Sequence, residues 1–311
     1  MKKLMIGAVC AMMAAATFAE PKVEITKAYQ AEPGNGKVSY TYTVSGLAGL
    51  TYELQVKVGA EGCDKTETVT IKDVTEGTAT KSIDAKTLLG KAYPNVTLFA
   101  ELKMSGVQLW ANGPYFAECN VGATKPEEVG YFFWWGDTVG YKRNLANNAW
   151  VSVKDGKAFS FEAGNCKTYN LTVAQLYNNG YIDANSATGK LKPGYDAATA
   201  NLGGSWRMPT SSEFQGLVDH CTRKWTTQNG ISGYLVTGTG DYSTKSIFLP
   251  QTGGADRNIF SDFELHALYW SSSPNSDNKG CAWSFYFNHS SSYFKLYNSD
   301  NFYGYPVRPV R

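Results

Sequence analysis

The sequence predicts an α+β protein of two domains, an antiparallel β-sandwich of Ig-like type followed by a mixed domain of short helices, strands and long loops. Three observations carry that expectation. From Pro21 to about Met104, apolar and polar residues alternate with a period of two in short runs set off by Gly, Pro, Asn or Asp. All eight tryptophans lie at or beyond Trp110, and after about Gly106 two capping-box sequences open stretches of helical apolar spacing. The 311 residues also exceed the roughly 100–200 expected of one domain.

Residues 1–19 form the first segment. "MKKLMIGAVCAMMAAATFAE" places two lysines before an apolar run from Leu4 to Ala16 and closes on small residues at Ala19. That is the layout of a secretory signal peptide, and the run is well short of the ~20 residues that a spanning helix needs. The sequence therefore predicts export to the medium or the cell envelope and surface, with Cys10 lost in the leader and no membrane span in the mature chain.

Residues 20–105 carry the runs "KVSYTYTVSG", "TYELQVKVG", "TETVTIKDV" and "NVTLFAELKM". Alternation at that spacing is the mark of a sandwich whose strands bury one face. No Trp and no catalytic cluster falls here, so a spacer role is expected. Residues 106–311 make the second domain. "TVAQLYNN" sets Thr172 and Gln175 at capping-box spacing, and "TSSEFQGLVDHC" does the same with Thr210 and Glu213 ahead of Phe214, Leu217, Val218 and Cys221 on one helix face. "GYLVTG", "SIFLPQ", "LYWSSS", "AWSFYFN", "FKLYN" and "YPVRPV" read as strands.

Charge excludes one class of partner. Lys and Arg total 29 against 27 for Asp and Glu, without a long basic run, so nucleic acid is not an expected ligand. Five cysteines remain after the leader: Cys63, Cys119, Cys166, Cys221 and Cys281. An oxidising compartment allows disulfides among them, yet an odd number leaves at least one thiol. With no CxxC pair and His220, His266 and His289 far apart, no metal or other cofactor is expected.

Several segments carry a resemblance. "FAECNVGATKPEEVGYFFWWGDT", "DAATANLGGSWRMPTSSEF", "WTTQNGISGYLVTG", "SIFLP", "YWSSS" and "GYPVRPVR" resemble, in order, the Fibrobacter succinogenes major paralogous domain over residues 106–311. That family is similar to the C-type-lectin-like fold shared with formylglycine-generating enzymes and with variable proteins of diversity-generating retroelements. The resemblance implies that the two ends of the domain pair and that late loops and strands, about Tyr269 to Tyr305, build the exposed face. It also frames an oxidase alternative, but copper binding there uses a cysteine pair, and only Cys281 lies in the comparable region.

Other candidates have structural readings. Calcium-held sugar sites of the wider fold need converging oxygen ligands, and "SPNSDNKG" offers Asn275, Asp277 and Asn278 without the usual motifs, so Asx turns explain them more simply. Glu127 with Glu128, and Asp262 with Glu264, read as solvated faces. Arg207 and Arg308 read as buried arginines bonding carbonyls or a carboxylate.

The tail remains. From Ser284 to Tyr303, twelve of twenty residues are Ser, Tyr or Asn and four more are Phe, a mixture unlike either a plain core or a disordered tail. Tyr gives large amphipathic contact with few torsions to freeze, and Ser and Asn give adaptable hydrogen bonds, which is the chemistry of antibody binding loops. The expected binding residues are Tyr286, His289, Tyr293, Tyr297, Asn298, Asp300, Asn301 and Tyr303, anchored by Phe285, Phe287, Phe294 and Val307. A solvated β-hairpin is the plainer alternative. The residue alphabet is also what randomised adenines in Asn codons leave, which suggests retroelement diversification. The sequence thus points to an exported, non-catalytic module that binds an extracellular protein or glycan, with an oxidase-like enzyme and a purely structural envelope protein as alternatives.

Overall fold

A computed structural model describes residues 6–7, 21–30, 35–47, 52–144, 149–261, 266–289 and 293–311. The expected leader lies outside the described residues except for Ile6–Gly7, which pair in parallel with Leu98 and Phe99. Asp262 and Glu264 also lie outside them. The chain divides into two compact units, Met1–Ser105 and Gly106–Arg311.

The first unit holds two sheets. One orders the strands Val96–Met104, Tyr52–Ala60 and Glu67–Val74, and the other orders Lys22–Gln30, Lys37–Ser45 and Gly77–Asp84, all antiparallel. Strict alternation in "KVSYTYTVS" buries Val38, Tyr40, Tyr42 and Val44, while Leu54, Val56 and Val58 are buried from the other sheet. Outward-facing Thr41 and Thr43 meet Thr80 and Thr78 across the strands, each hydroxyl pair at 2.9 Å.

The α+β expectation is overturned. Strands make up 47% and helices 13%, so the fold is β-rich and assembled from several small sheets. The two capping boxes do start helices, with both reciprocal bonds formed at Thr172/Gln175 and at Thr210/Glu213. Both are as short as the sequence implies, and only Cys221, expected on the helix face, lies outside them. Val173–Asn178 ends as Gly180 enters the left-handed region at φ +80°, and Ser211–His220 ends as Cys221 turns extended into a strand of eight residues. Capping sequence fixes where a helix begins, not how far it runs.

In the second unit a five-stranded sheet orders Ala158–Phe159, Ala149–Ser152, Tyr141–Asn144, Phe132–Phe133 and Tyr305–Pro306. A three-stranded sheet joins Cys221–Gln228, Ile231–Gly238 and Ser246–Pro250, and another joins His266–Pro274, Cys281–Asn288 and Phe294–Asp300. The ends of the unit pair: the Tyr115 amide donates to Arg311 O and the Arg311 amide to Tyr115 O, each at 2.9 Å. Arg308 locks this seam from inside. It is fully buried, and its guanidinium donates to Asn120 Oδ1 at 2.8 Å and to the carbonyls of Ala117, Glu118 and Phe248 at 3.0, 2.6 and 3.0 Å.

Helix Ser211–His220 is tied to the chain before it, because Arg207 grips Glu213 through two bonds of 2.8 and 2.6 Å. Phe214 then stacks on Phe285 with centroids 4.9 Å apart, which seats the helix on one face of the 266–300 sheet. Gly216 permits a close approach on this helix, since a Cβ there would lie 2.4 Å from the Trp110 ring. This packing decides which face of the tail is left for solvent.

Candidate binding surface

Strand alternation sorts the tail into two faces. Register places Phe285 opposite Leu296 and Tyr269, and Phe287 opposite Phe294 and Ala267. These side chains belong to one core cluster with Phe214, Leu217 and Tyr234. On the reverse face Tyr286 stands opposite Lys295 and Leu268, and Ser284 opposite Tyr297 and Trp270. Trp270 and Leu268 are covered by a second cluster that includes Tyr305, so this face is buried at one end and open at the other.

The open end is aromatic. Tyr297 is 51% exposed and Tyr293 44% exposed, and both lean on the half-buried Tyr286 with ring centroids 5.5 and 5.9 Å away. His266 lies 5.5 Å from Tyr286 on its other side, and Lys295 Nζ sits 5.2 Å from the Tyr293 ring. Tyr303 extends the aromatic run from the following turn: it contacts Phe302 at 4.6 Å, and Phe302 contacts the exposed Tyr169 at 5.1 Å. Burial, followed by the charges of Asp256, Asp300 and Tyr297, raises the Tyr303 phenol above its ordinary pKa, so it stays a neutral donor at physiological pH.

Four expected binding residues fall elsewhere. Asn301 is fully buried; its Nδ2 donates to Thr168 O at 3.1 Å, its amide donates to Gly280 O at 2.9 Å, and its carbonyl accepts from the Trp135 amide and the Cys166 thiol. It is a structural residue, not a contact residue. Asn298 and Asp300 share the face of Phe294 and Leu296, opposite Trp283 and Cys281, and Asp300 accepts from the Cys281 thiol at 3.3 Å. His289 packs edge-on against Trp225 at 5.3 Å, toward strand Cys221–Gln228. Alternation was the missed signal for Asn298 and Asp300, since counting by twos from Phe294 assigns both to the core-facing side. His266, Lys295, Phe302 and Tyr169 join the surface without having been singled out.

The remaining candidates resolve structurally. Among the described residues Cys63, Cys119, Cys166, Cys221 and Cys281 are all free thiols. Burial, then the Asp300 carboxylate, pushes the Cys281 thiol up to about 11, and burial pushes Cys119 to about 12. Asn275 Oδ1 accepts from the amides of Asp277 and Asn278 at 2.8 and 3.2 Å, the Asx turn expected there. Glu127 departs from its solvated reading: it is buried and accepts from Asn229 Nδ2 at 2.7 Å. Among the described residues no group of three or more His, Cys, Asp or Glu could hold a metal ion, and no helix is long and apolar enough to cross a membrane.

Residues 163–311 match the model of the Lcl C-terminal domain, a C-type-lectin-like family. The match contains the whole 266–300 sheet, helix Ser211–His220 and the aromatic turn at Phe302 and Tyr303. No curated protein and no solved structure shows a significant match to the chain.

Proposed function

We propose that the second unit is a non-catalytic recognition module that binds an extracellular protein or glycan through Tyr286, Tyr293, Tyr297 and Tyr303. One observation carries this reading. Two half-exposed tyrosines, Tyr297 on an edge strand and Tyr293 just before it, stand on the side away from a phenylalanine core that anchors the strand, so folding and surface contact fall to different residues. Rigid aromatic rings beside Ser, Asn and Lys supply contact area and hydrogen bonds at small entropic cost. The lectin-like family of residues 163–311 supports ligand binding as the role of the unit. Thiol chemistry is disfavoured, because burial holds Cys281 and Cys119 protonated near neutral pH.

The finer reading follows from the sequence. An exported chain, retained at the envelope or released, presents this surface outside the cell. Its likeness to the Fibrobacter succinogenes major paralogous domain and its Asn-codon alphabet support a surface shaped by retroelement diversification. Probing a glycan and protein-fragment array with the intact protein and with a tyrosine-deficient variant tests the binding role. A reverse-transcriptase gene and a near-copy of the 3′ end in adjacent DNA test the diversification.

A further inference from the structure

The second unit also holds a cleft of about 200 Å³, lined by the Trp134–Thr138 loop, the Asn165–Thr168 turn and the Tyr181 and Tyr195 rings. None of the four surface tyrosines lines it. We propose that this cleft is a separate site for a small neutral polyhydroxylated ring, the size of one monosaccharide.

Volume sets the size of the guest. Sites enclosing drug-sized ligands span roughly 300–1,000 Å³, so this one accommodates a single ring. The walls set its character. Tyr181 and Tyr195 stand with centroids 4.5 Å apart and planes tilted by 51°, giving an angled aromatic wall that the C–H face of a sugar can cover. Trp134 offers no donor: its ring is buried against Tyr141, Phe159 and Phe161, and its indole N–H donates to Phe302 O at 2.8 Å.

Polar groups stand beside these rings. Asp137 Oδ1 accepts from the amides of Thr138 and Val139 at 2.7 and 3.1 Å, which fixes the carboxylate in place. Oδ2 accepts one long bond from the Tyr141 hydroxyl at 3.3 Å and retains lone pairs for ligand hydroxyls. Asn165 and Lys167 are exposed at the rim and supply donors. The cleft therefore carries one carboxylate and one ammonium. An anion meets Asp137 and a cation meets Lys167, whereas a neutral ring with apolar faces and a hydroxyl edge satisfies both walls and rim.

The cleft is built before any ligand arrives. Thr168 Oγ1 donates to Trp135 O at 2.7 Å, joining the turn to the loop, and the buried Asn301 side chain donates to Thr168 O from behind. Gly136, at φ +81°, lets the loop close on Thr168, whose Cγ2 would lie 2.8 Å from a Cβ there. Little ordering is left for binding to pay.

The test titrates the full chain with the methyl glycosides of glucose, mannose and galactose, with choline and sulfate as charged probes, followed by tryptophan fluorescence and saturation-transfer NMR. At least one glycoside should saturate with a dissociation constant of roughly millimolar order, as a ligand of so few atoms allows. Tyr195→Ala and Asp137→Asn should each weaken it about tenfold or more, while Tyr297→Ala leaves it unchanged. Because Asp137 also shapes its own loop, Asn165→Ala at the exposed rim is measured alongside, with a smaller loss expected. The proposal is overturned if no glycoside saturates, if choline or sulfate binds in its place, or if glycoside binding is lost in Tyr297→Ala and kept in the cleft variants. The two readings fail separately: if no glycoside saturates, the tyrosine surface still stands on its own array test, whereas loss of glycoside binding in Tyr297→Ala alone assigns the sugar to that surface instead of the cleft.

Discussion

Tyr286 and Tyr297 stand on neighbouring antiparallel strands with ring centroids 5.5 Å apart and planes tilted by 38°. They are diagonal neighbours, since Tyr286 pairs with Lys295 and Tyr297 with Ser284, and long aromatic side chains reach across such diagonals. The contact holds Tyr297 outward while leaving half of its surface in water. Its stabilising contribution is modest, and its value lies in positioning.

Phe287 sits directly beneath this surface, and truncating it should act on stability. It is fully buried between Tyr234, Tyr269 and Phe294, with centroids 5.4 to 6.0 Å away. Phe287→Ala should cost about 3–5 kcal/mol in denaturant unfolding, the range for a buried Phe truncation. Tyr293→Ala should cost under about 1 kcal/mol in the same measurement, as exposed positions do.

Asn301→Ala should destabilise the unit by about 1–3 kcal/mol, because it removes the Nδ2 bond to the buried Thr168 carbonyl, leaving only a long 3.4 Å bond from the Leu171 amide, and opens a void at a fully buried position. Chemical denaturation reads the cost. Asp300→Ala is the useful contrast, since Asp300 is half-buried and bonded to the Cys281 thiol; a smaller loss is expected there.

Arg308→Met should be among the most damaging single changes in the second unit. The Met side chain fills part of the volume but leaves Asn120 Oδ1 and three carbonyls without their donor. At about 1–3 kcal/mol for each stranded buried group, a total of roughly 4 kcal/mol or more is expected in equilibrium unfolding. Arg308→Lys should recover little, because one ammonium cannot span the same spread of acceptors.

Glu213 makes stability depend on acid. Burial tends to raise its pKa, but the Arg207 bonds and the Thr210 amide outweigh burial and hold it below the ordinary value of 4.5. A carboxylate lowered on folding contributes stability that is complete above its unfolded pKa and is lost as pH falls through the folded one. The melting temperature should therefore drop as pH is taken below about 4.5, and Glu213→Gln should flatten that part of the profile while lowering stability at neutral pH. Thermal melts from pH 7 to 3 read both effects.

Much of this was legible in the chain. Both helix starts followed from Thr172/Gln175 and Thr210/Glu213, because a capping box is a local arrangement set by four residues. Phe285, Phe287 and Phe294 were recognised as anchors, since apolar residues at strand spacing share a face. The place of Cys221 was not legible: helical spacing sets it on the face of Phe214 and Leu217, but pairing of Cys221–Gln228 with Ile231–Gly238 draws it into a strand. Nor was the fate of Asn301, whose burial depends on Thr168 and Gly280, both distant in sequence. Tyr169 reaches the surface only because Phe302 lies beside it in space.

The central claim is that binding resides on the outer tyrosines while folding resides on the phenylalanines behind them. The most direct test compares the intact protein with the Tyr293→Ala/Tyr297→Ala double variant on one ligand identified from a glycan and protein-fragment array, measuring affinity and melting temperature on the same samples. Loss of two exposed aromatic anchors should weaken binding by about a hundredfold or more, each anchor being worth ~2 kcal/mol, with the melting temperature almost unchanged. Unaltered affinity in a folded double variant, or unfolding of that variant, would contradict the account.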